Sequence, residues 1–225
     1  SGTQALGNGV GVSASNCVGC ELGRLTLRNN LIAGNGTGAR STYTCCSITG
    51  NLIGTDRSGQ APLPNTGDGL VVSSYDMGVG GNVFAYNGGS GVRVVDSGGA
   101  NAVRVTGNRI VANGANGVTV TGGRTIAAIT GNIIADNGLL GIDLNNDGVT
   151  ANDVGDGDAG PNLGQNYPLL QAAGSSGATA FIQGAINSRP NRTLTLEFYA
   201  NAQCDPSGNG EGERLLISQA VTTNG

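Results

Sequence analysis

The chain has no histidine and no tryptophan, only 4% aromatic and 12% charged residues, and no lysine among its eleven cationic side chains. The arginines are scattered singly rather than in a basic stripe, which argues against nucleic-acid binding. Without histidine or lysine the choice of general bases is short, and few rings are present to stack on sugars. No apolar run reaches the roughly 18 residues that a membrane-spanning helix needs, so we expect no membrane span.

Glycine is abundant instead, with 42 residues, and 38% of the chain is apolar. A cassette recurs: an asparagine, two or three apolar residues, and a second asparagine followed by glycine. A degenerate copy, GNLIGTDR, has Asp56 in place of the second asparagine. Successive copies lie 21–31 residues apart, which is typical of a solenoid built from stacked coils. The four regular copies are NNLIAGNG (29–36), GNVFAYNG (81–88), GNRIVANG (107–114) and GNIIADNG (131–138).

Apolar residues recur at fixed positions around the first asparagine of each copy. One column follows it by two positions, namely Ile32, Ile53, Phe84, Ile110 and Ile134. Polar residues alternate with such columns, as in strands with one face inward. Asparagine suits the corners because it tolerates left-handed backbone and its amide can bond to the next coil. We therefore predict an all-β parallel β-helix of about six coils over residues 1–144, with structural corners at Asn30, Asn51, Asn82, Asn108, Asn132, Asn35, Asn87, Asn113 and Asn137.

Three longer segments carry a family resemblance. They are GNLIGTDRSGQAPLPNTGDGL (50–70), GIDLNNDGVTANDVGDGDAGPNLGQNYPLL (141–170) and CDPSGNGEG (204–212). With the repeats, they resemble right-handed parallel β-helix proteins of the large secreted bacterial surface type. In that family the second segment closes the helix, and an immunoglobulin-like segment commonly follows. The resemblance implies an extracellular or cell-surface location.

Residues 145–177 form an acidic, Asp/Asn/Gly-rich loop and a linker that we expect to cap the helix. Asp143, Asn145 and Asp147, followed by Gly148, match the first half of a calcium loop, but the twelfth position is Val154 rather than glutamate. The clustered carboxylates repel one another unless a cation or water screens them. Two interpretations follow, a bound Ca²⁺ or a solvated, turn-rich loop. The candidate Ca²⁺ ligands are Asp143, Asn145, Asp147, Asp153, Asp156 and Asp158.

Four of the five cysteines occur as two close pairs in the first coils, Cys17 with Cys20 and Cys45 with Cys46. Thiolate pairs of this kind could bind zinc, but neighbouring residues of a strand point to opposite faces, which disfavours convergence of Cys45 and Cys46 on one ion. Disulfides between the first coils fit better and imply an oxidising compartment. Their pairing cannot be read from the sequence, and neither can a partner for Cys204.

Residues 178–225 predict three strands, at 179–186, 193–200 and 214–222, which we interpret as part of an antiparallel, immunoglobulin-like β-sandwich. The helix begins without a recognisable cap and the sandwich lacks strands. Two explanations fit: further domains of a longer chain, or a second copy that completes the missing edge by strand addition.

These patterns predict a secreted or cell-surface structural or adhesive protein, with a head-to-tail filament as one form of assembly. The alternative is a module that binds or degrades extracellular polysaccharide. Glycoside hydrolysis needs two carboxylates about 5–10 Å apart. The outward column of the second strand offers only Asp143 beside Val71, Arg93 and Thr119. Catalysis is therefore the less favoured interpretation.

Overall fold

The computed structural model describes residues 7–15, 26–42, 47–73, 76–95, 102–177 and 179–224. The predicted fold class is confirmed, because the chain forms a parallel β-helix followed by antiparallel strand pairs. Within these ranges no helix is long and apolar enough to cross a membrane. The predicted cysteine pairs at 17, 20, 45 and 46 lie outside the described residues.

Three parallel sheets form the walls of the solenoid, and the chain visits them in the order A, B, C in each coil. Sheet A contains β1 (Val10–Ser15), β4 (Thr37–Thr42), β7 (Leu70–Ser73), β10 (Val92–Val94), β13 (Val118–Val120) and β16 (Ile142–Leu144). Sheet B contains β2 (Thr26–Arg28), β5 (Ser47–Thr49), β8 (Gly78–Gly80), β11 (Val103–Thr106) and β14 (Ala127–Thr130). Sheet C contains β3 (Leu31–Ile32), β6 (Leu52–Ile53), β9 (Val83–Ala85), β12 (Arg109–Val111) and β15 (Ile133–Ala135).

The core consists of apolar columns that the register aligns across coils. On sheet C, Ile53, Phe84, Ile110 and Ile134 lie side by side and are at most 7% exposed. Columns from sheets A and B complete the same cluster. Because the same contact repeats from coil to coil, strands of only two to six residues gain burial from the neighbouring coils.

An insertion separates β6 from β7. Thr55 pairs antiparallel with Pro62, and the Asp56 carboxylate accepts backbone N–H groups of Ser58, Gln60 and Ala61. Asp56 stands where the other copies have their second asparagine, but its carboxylate organises the inserted turn instead of a ladder corner. The insertion delays the second corner of this coil to Asn65.

Beyond the solenoid, a 3₁₀ turn (Pro161–Gly164) precedes two antiparallel pairs, β17 (Leu169–Ser176) with β18 (Thr179–Ala185) and β19 (Thr193–Ala200) with β20 (Arg214–Thr222). The three predicted strands are present, but β17 lies in the segment predicted as linker. Gly174 lies within β17 opposite Phe181, and Gly177, with φ 61°, lies in the turn between β17 and β18.

Candidate functional site

Two ladders of asparagine side chains run along the corners that flank sheet C. In ladder 1, each asparagine donates its backbone N–H and its side-chain NH₂ to the Oδ1 of the next asparagine, at 2.9–3.1 Å. Its members are Asn30, Asn51, Asn82, Asn108 and Asn132. Beyond the exposed Asn30, they are at most 3% exposed. The bonds from asparagine to asparagine all run in one direction along the helix, whereas from Asn51 onward each side-chain NH₂ also donates to a backbone carbonyl of the preceding coil.

Ladder 2 follows the corner between sheets C and A. Its members are Asn8, Asn35, Asn65, Asn87, Asn113 and Asn137. The nine predicted corners all lie in one of the two ladders. The sequence prediction omitted Asn8, which lies ahead of the first complete cassette, and Asn65, which the insertion displaces.

Ladder 2 ends on a carboxylate from the far end of the chain. Asn137 donates its backbone N–H to Oε2 of Glu211 at 3.0 Å and its side-chain NH₂ to Oε1 at 2.9 Å. Next to it, Gly212 and Ile134 exchange two backbone hydrogen bonds, at 2.7 and 2.9 Å, in an antiparallel bridge. Glu211 thus takes the place of a further asparagine, and Gly212 adds one residue of strand to the edge of β15.

Glu197 and Tyr199 of β19 support this contact. Both oxygens of Glu197 accept the Gly131 N–H at 2.9 Å, and the Tyr199 hydroxyl donates to Glu197 at 2.7 Å. The Tyr199 ring lies so close to Gly212 that a Cβ there would approach it to 2.9 Å. Burial, followed by the hydrogen bond to Glu197, raises the pKa of Tyr199. The hydroxyl therefore stays protonated and remains a donor.

Burial also raises the pKa of Glu211. The two hydrogen bonds from Asn137 oppose this shift, and the nearby negative charges of Asp205 and Asp136 add to it. A carboxylate that replaces an amide oxygen at the end of the ladder therefore carries a desolvation cost.

Sheet B ends in a similar way. Oδ1 of Asn162, in the 3₁₀ turn, accepts the Ala127 N–H at 2.7 Å, and its NH₂ donates to the Ala127 carbonyl at 3.0 Å. Asn162 has φ 51°, a left-handed conformation that asparagine tolerates. We call Asn162, Glu197, Tyr199, Glu211 and Gly212 together the end cap.

The predicted calcium ligands separate into two groups. Asp143 is only 4% exposed and accepts hydrogen bonds from the Asn116 side chain and from the backbone N–H groups of Asn146 and Gly148. Asn145 and Asp147 are exposed.

Asp153, Asp156 and Asp158 form the second group, with one carboxylate oxygen of each within 4.8 Å of the others. Asp156 accepts hydrogen bonds from the Asn166 N–H and the Ser188 hydroxyl. One buried oxygen on each of Asp153 and Asp158 has no hydrogen-bond partner among the described residues. Oxygen ligands of this kind suit Ca²⁺ chemically, and the occupancy of the group remains a prediction.

The column of sheet A that was predicted to face outward is largely buried, since Val71, Thr119 and Asp143 are at most 5% exposed. Arg93 forms an ion pair with Asp68, with Nε 2.7 Å from Oδ2. Thr119 is fully buried, and its hydroxyl lies 2.9 Å from that of Ser90. With Asp143 held as described, these side chains form a packed polar row along the sheet.

Among the described cysteines, Cys204 is free and exposed, in the loop between β19 and β20 that also carries Glu211. The sequence prediction missed every member of the end cap. The segment Cys204–Gly212 was noted only for its family resemblance, and no periodic signal links it to the coils. No family model, curated protein or solved structure matches this chain.

Proposed function

We propose that this chain is a structural or adhesive β-helix of an extracellular or cell surface, and that its copies stack head to tail by strand addition. The polarity of ladder 2 is the observation that supports the proposal. Asn8 is the first ladder member among the described residues, and its backbone N–H donates to Oδ1 of Asn35. Asn137 ends the ladder with two donors. Donation between the described ladder members therefore runs from Asn8 towards Asn137, a direction that a stacked second copy would continue.

The interior supports a mechanical role. Ladders and apolar columns connect each coil to the next along the described solenoid. Bending a coil away from its neighbour would break buried hydrogen bonds, and a buried donor left without its acceptor costs about 1–3 kcal/mol. Such a rod suits a spacer or an adhesive surface better than a moving part.

The polysaccharide alternative lacks comparable support. Arg93 is paired with Asp68, and Asp143 accepts three internal hydrogen bonds, so neither group is free to reach a substrate. Turnover of pectate or alginate by the purified chain, lost in Asp143→Ala, would reverse this preference.

Surface labelling of the source cells tests the proposal. An antibody against the chain should label intact cells, and electron microscopy of surface extracts should show linear stacks. Asn8→Ala should reduce the number of stacks, because it removes the amide oxygen that would accept hydrogen bonds from Asn137 of the neighbouring copy. Asn224→Ala, at an exposed position outside the ladders, is the matched control. Protein confined to the cell interior would contradict the proposal.

A further inference from the structure

Asparagine followed directly by glycine recurs along the chain, and asparagine in this setting is chemically labile. The backbone nitrogen of the glycine can attack Cγ of the asparagine, because the glycine has no side chain to hinder the approach. A C–N bond forms, the Cγ–Nδ2 bond breaks and ammonia leaves, which gives a succinimide ring. Water then opens the ring to aspartate or to isoaspartate.

The coils hold both reacting groups of five such pairs in place. In each pair the glycine N–H donates to a backbone carbonyl of a neighbouring coil, at 2.7–2.9 Å. The side-chain NH₂ of each asparagine donates as well, and each asparagine is at most 8% exposed. Attack would have to break these buried hydrogen bonds first. The five pairs are Asn35–Gly36, Asn87–Gly88, Asn113–Gly114, Asn116–Gly117 and Asn137–Gly138.

Asn209–Gly210 lies in a different environment, in the loop between β19 and β20. Both residues are exposed, and the Gly210 N–H donates to no acceptor among the described residues. The space beside Gly210 is open, because a Cβ there would find its nearest neighbour, the Asn201 side-chain nitrogen, at 4.0 Å. The Asn209 NH₂ donates to the Ser207 carbonyl at 3.4 Å, which is a long hydrogen bond at the surface. The nucleophile and the amide are therefore both free to move.

We infer that Asn209 is a modification site at which the chain deamidates itself, and that the coils spare their own asparagines from the same reaction. The inference goes beyond the proposed stacking and does not depend on it. The reaction consumes water and releases ammonia. Each event replaces an amide by a carboxylate, and so adds one negative charge to the loop that carries Glu211. Isoaspartate also lengthens the main chain of this loop by one methylene group.

The test incubates the full chain at mildly alkaline pH in water enriched in heavy oxygen. Ring opening places one oxygen of the water in the new carboxylate, so the label marks deamidation that occurs during the incubation. Peptide mapping by mass spectrometry measures the converted fraction at each asparagine, and fragmentation distinguishes isoaspartate from aspartate. The pairs Asn8–Gly9 and Asn224–Gly225, near residues 1–6 and 225 outside the described ranges, are resolved as separate peptides. A parallel incubation in urea removes the fold.

Two variants test the route of the reaction. Gly210→Ala should slow the conversion of Asn209 severalfold, because the added methyl group hinders the attack of the backbone nitrogen. Gly78→Ala, at another glycine with open space around it, is the matched control and should leave the rate unchanged. An unchanged rate in Gly210→Ala would overturn the succinimide route.

In the folded chain Asn209 should convert while the asparagines of the five coil pairs stay intact. In urea all six should convert at similar rates, because the sequence around the reacting atoms is the same. Coil asparagines that convert in the folded chain as fast as Asn209 would overturn the protection by the coils. An Asn209 that stays intact in the folded chain but converts in urea would overturn the assignment of the site.

Discussion

Replacing Asn113 tests whether the ladders hold the solenoid together. Its Oδ1 accepts the backbone N–H of Asn87 at 3.2 Å and the side-chain NH₂ of Asn87 at 2.9 Å. Asn113→Ala removes this acceptor from a position that is 1% exposed. Two buried donors lose their partner at about 1–3 kcal/mol each, so the free energy of unfolding should fall by about 2–6 kcal/mol. That is a large part of the roughly 5–15 kcal/mol that a folded domain commonly has.

Asn113→Asp separates hydrogen bonding from side-chain volume. It keeps the acceptor for Asn87 but places an oxygen where NH₂ now donates to Asn137 Oδ1 at 2.9 Å and to the Phe84 carbonyl at 3.1 Å. The new carboxylate oxygen would then face two other acceptors, the Phe84 carbonyl and Asn137 Oδ1, in a buried site. The free energy of unfolding should therefore fall further than in the alanine variant. Urea unfolding followed by circular dichroism measures the free energy of unfolding of both variants. Asn30→Ala, at an exposed ladder position, is the control, and we expect it to lower the free energy of unfolding by less than about 1 kcal/mol. An aspartate variant as stable as wild type would refute the reasoning.

Three further outcomes are expected. Gly91→Ala should destabilise the chain markedly, because the new Cβ would lie 2.5 Å from Cγ2 of Ile110 in the core. Gly78→Ala is the control and should be neutral or stabilising, because no atom lies within 4 Å of the new Cβ. Melting temperatures of the two variants test this difference. Because burial raises the pKa of Glu211, the docked cap binds a proton more tightly than the free one. The end cap should therefore dock more weakly as pH rises from about 4.3, the usual pKa of glutamic acid, to the raised pKa of Glu211. Hydrogen exchange at the cap, corrected for intrinsic rates, should therefore accelerate through that window, and slowing would contradict it. If Ca²⁺ binds the acidic group, a chelator should lower the melting temperature, and Asp153→Asn with Asp158→Asn should abolish that effect. An unchanged melting temperature would favour the solvated loop.

The repeating part of the fold could be predicted because it depends on contacts between equivalent residues. Ile110 lies against Phe84 and Ile134, its counterparts in the neighbouring coils, so one aligned column in the sequence fixes a column in the core. The same alignment failed where the period was broken. The insertion moved a corner to Asn65, and the short spacing made Asp56 the apparent substitute.

The candidate site could not be predicted because its contacts occur once. Glu211 meets Asn137 across 74 residues, and nothing in the sequence distinguishes this glutamate from Glu213 two positions later. Asn162 lies 35 residues from Ala127 in a loop where asparagine is also explained as a turn residue. The register between the β19–β20 hairpin and the solenoid is a tertiary fact that composition and spacing do not encode.

An amide passes hydrogen bonds on, since it accepts at one atom and donates at another, whereas an ionised carboxylate only accepts. A coil such as residues 108–131 is therefore a unit that evolution or design can duplicate in place. The duplicate would accept from the coil before it, donate to the coil after it, and lengthen the rod by about 4.8 Å. Glu211 cannot be copied into the interior in this way, because the coil after it would receive no donor. The length of the rod is thus open to change, while the group that ends ladder 2 needs only to accept hydrogen bonds, which an ionised carboxylate does.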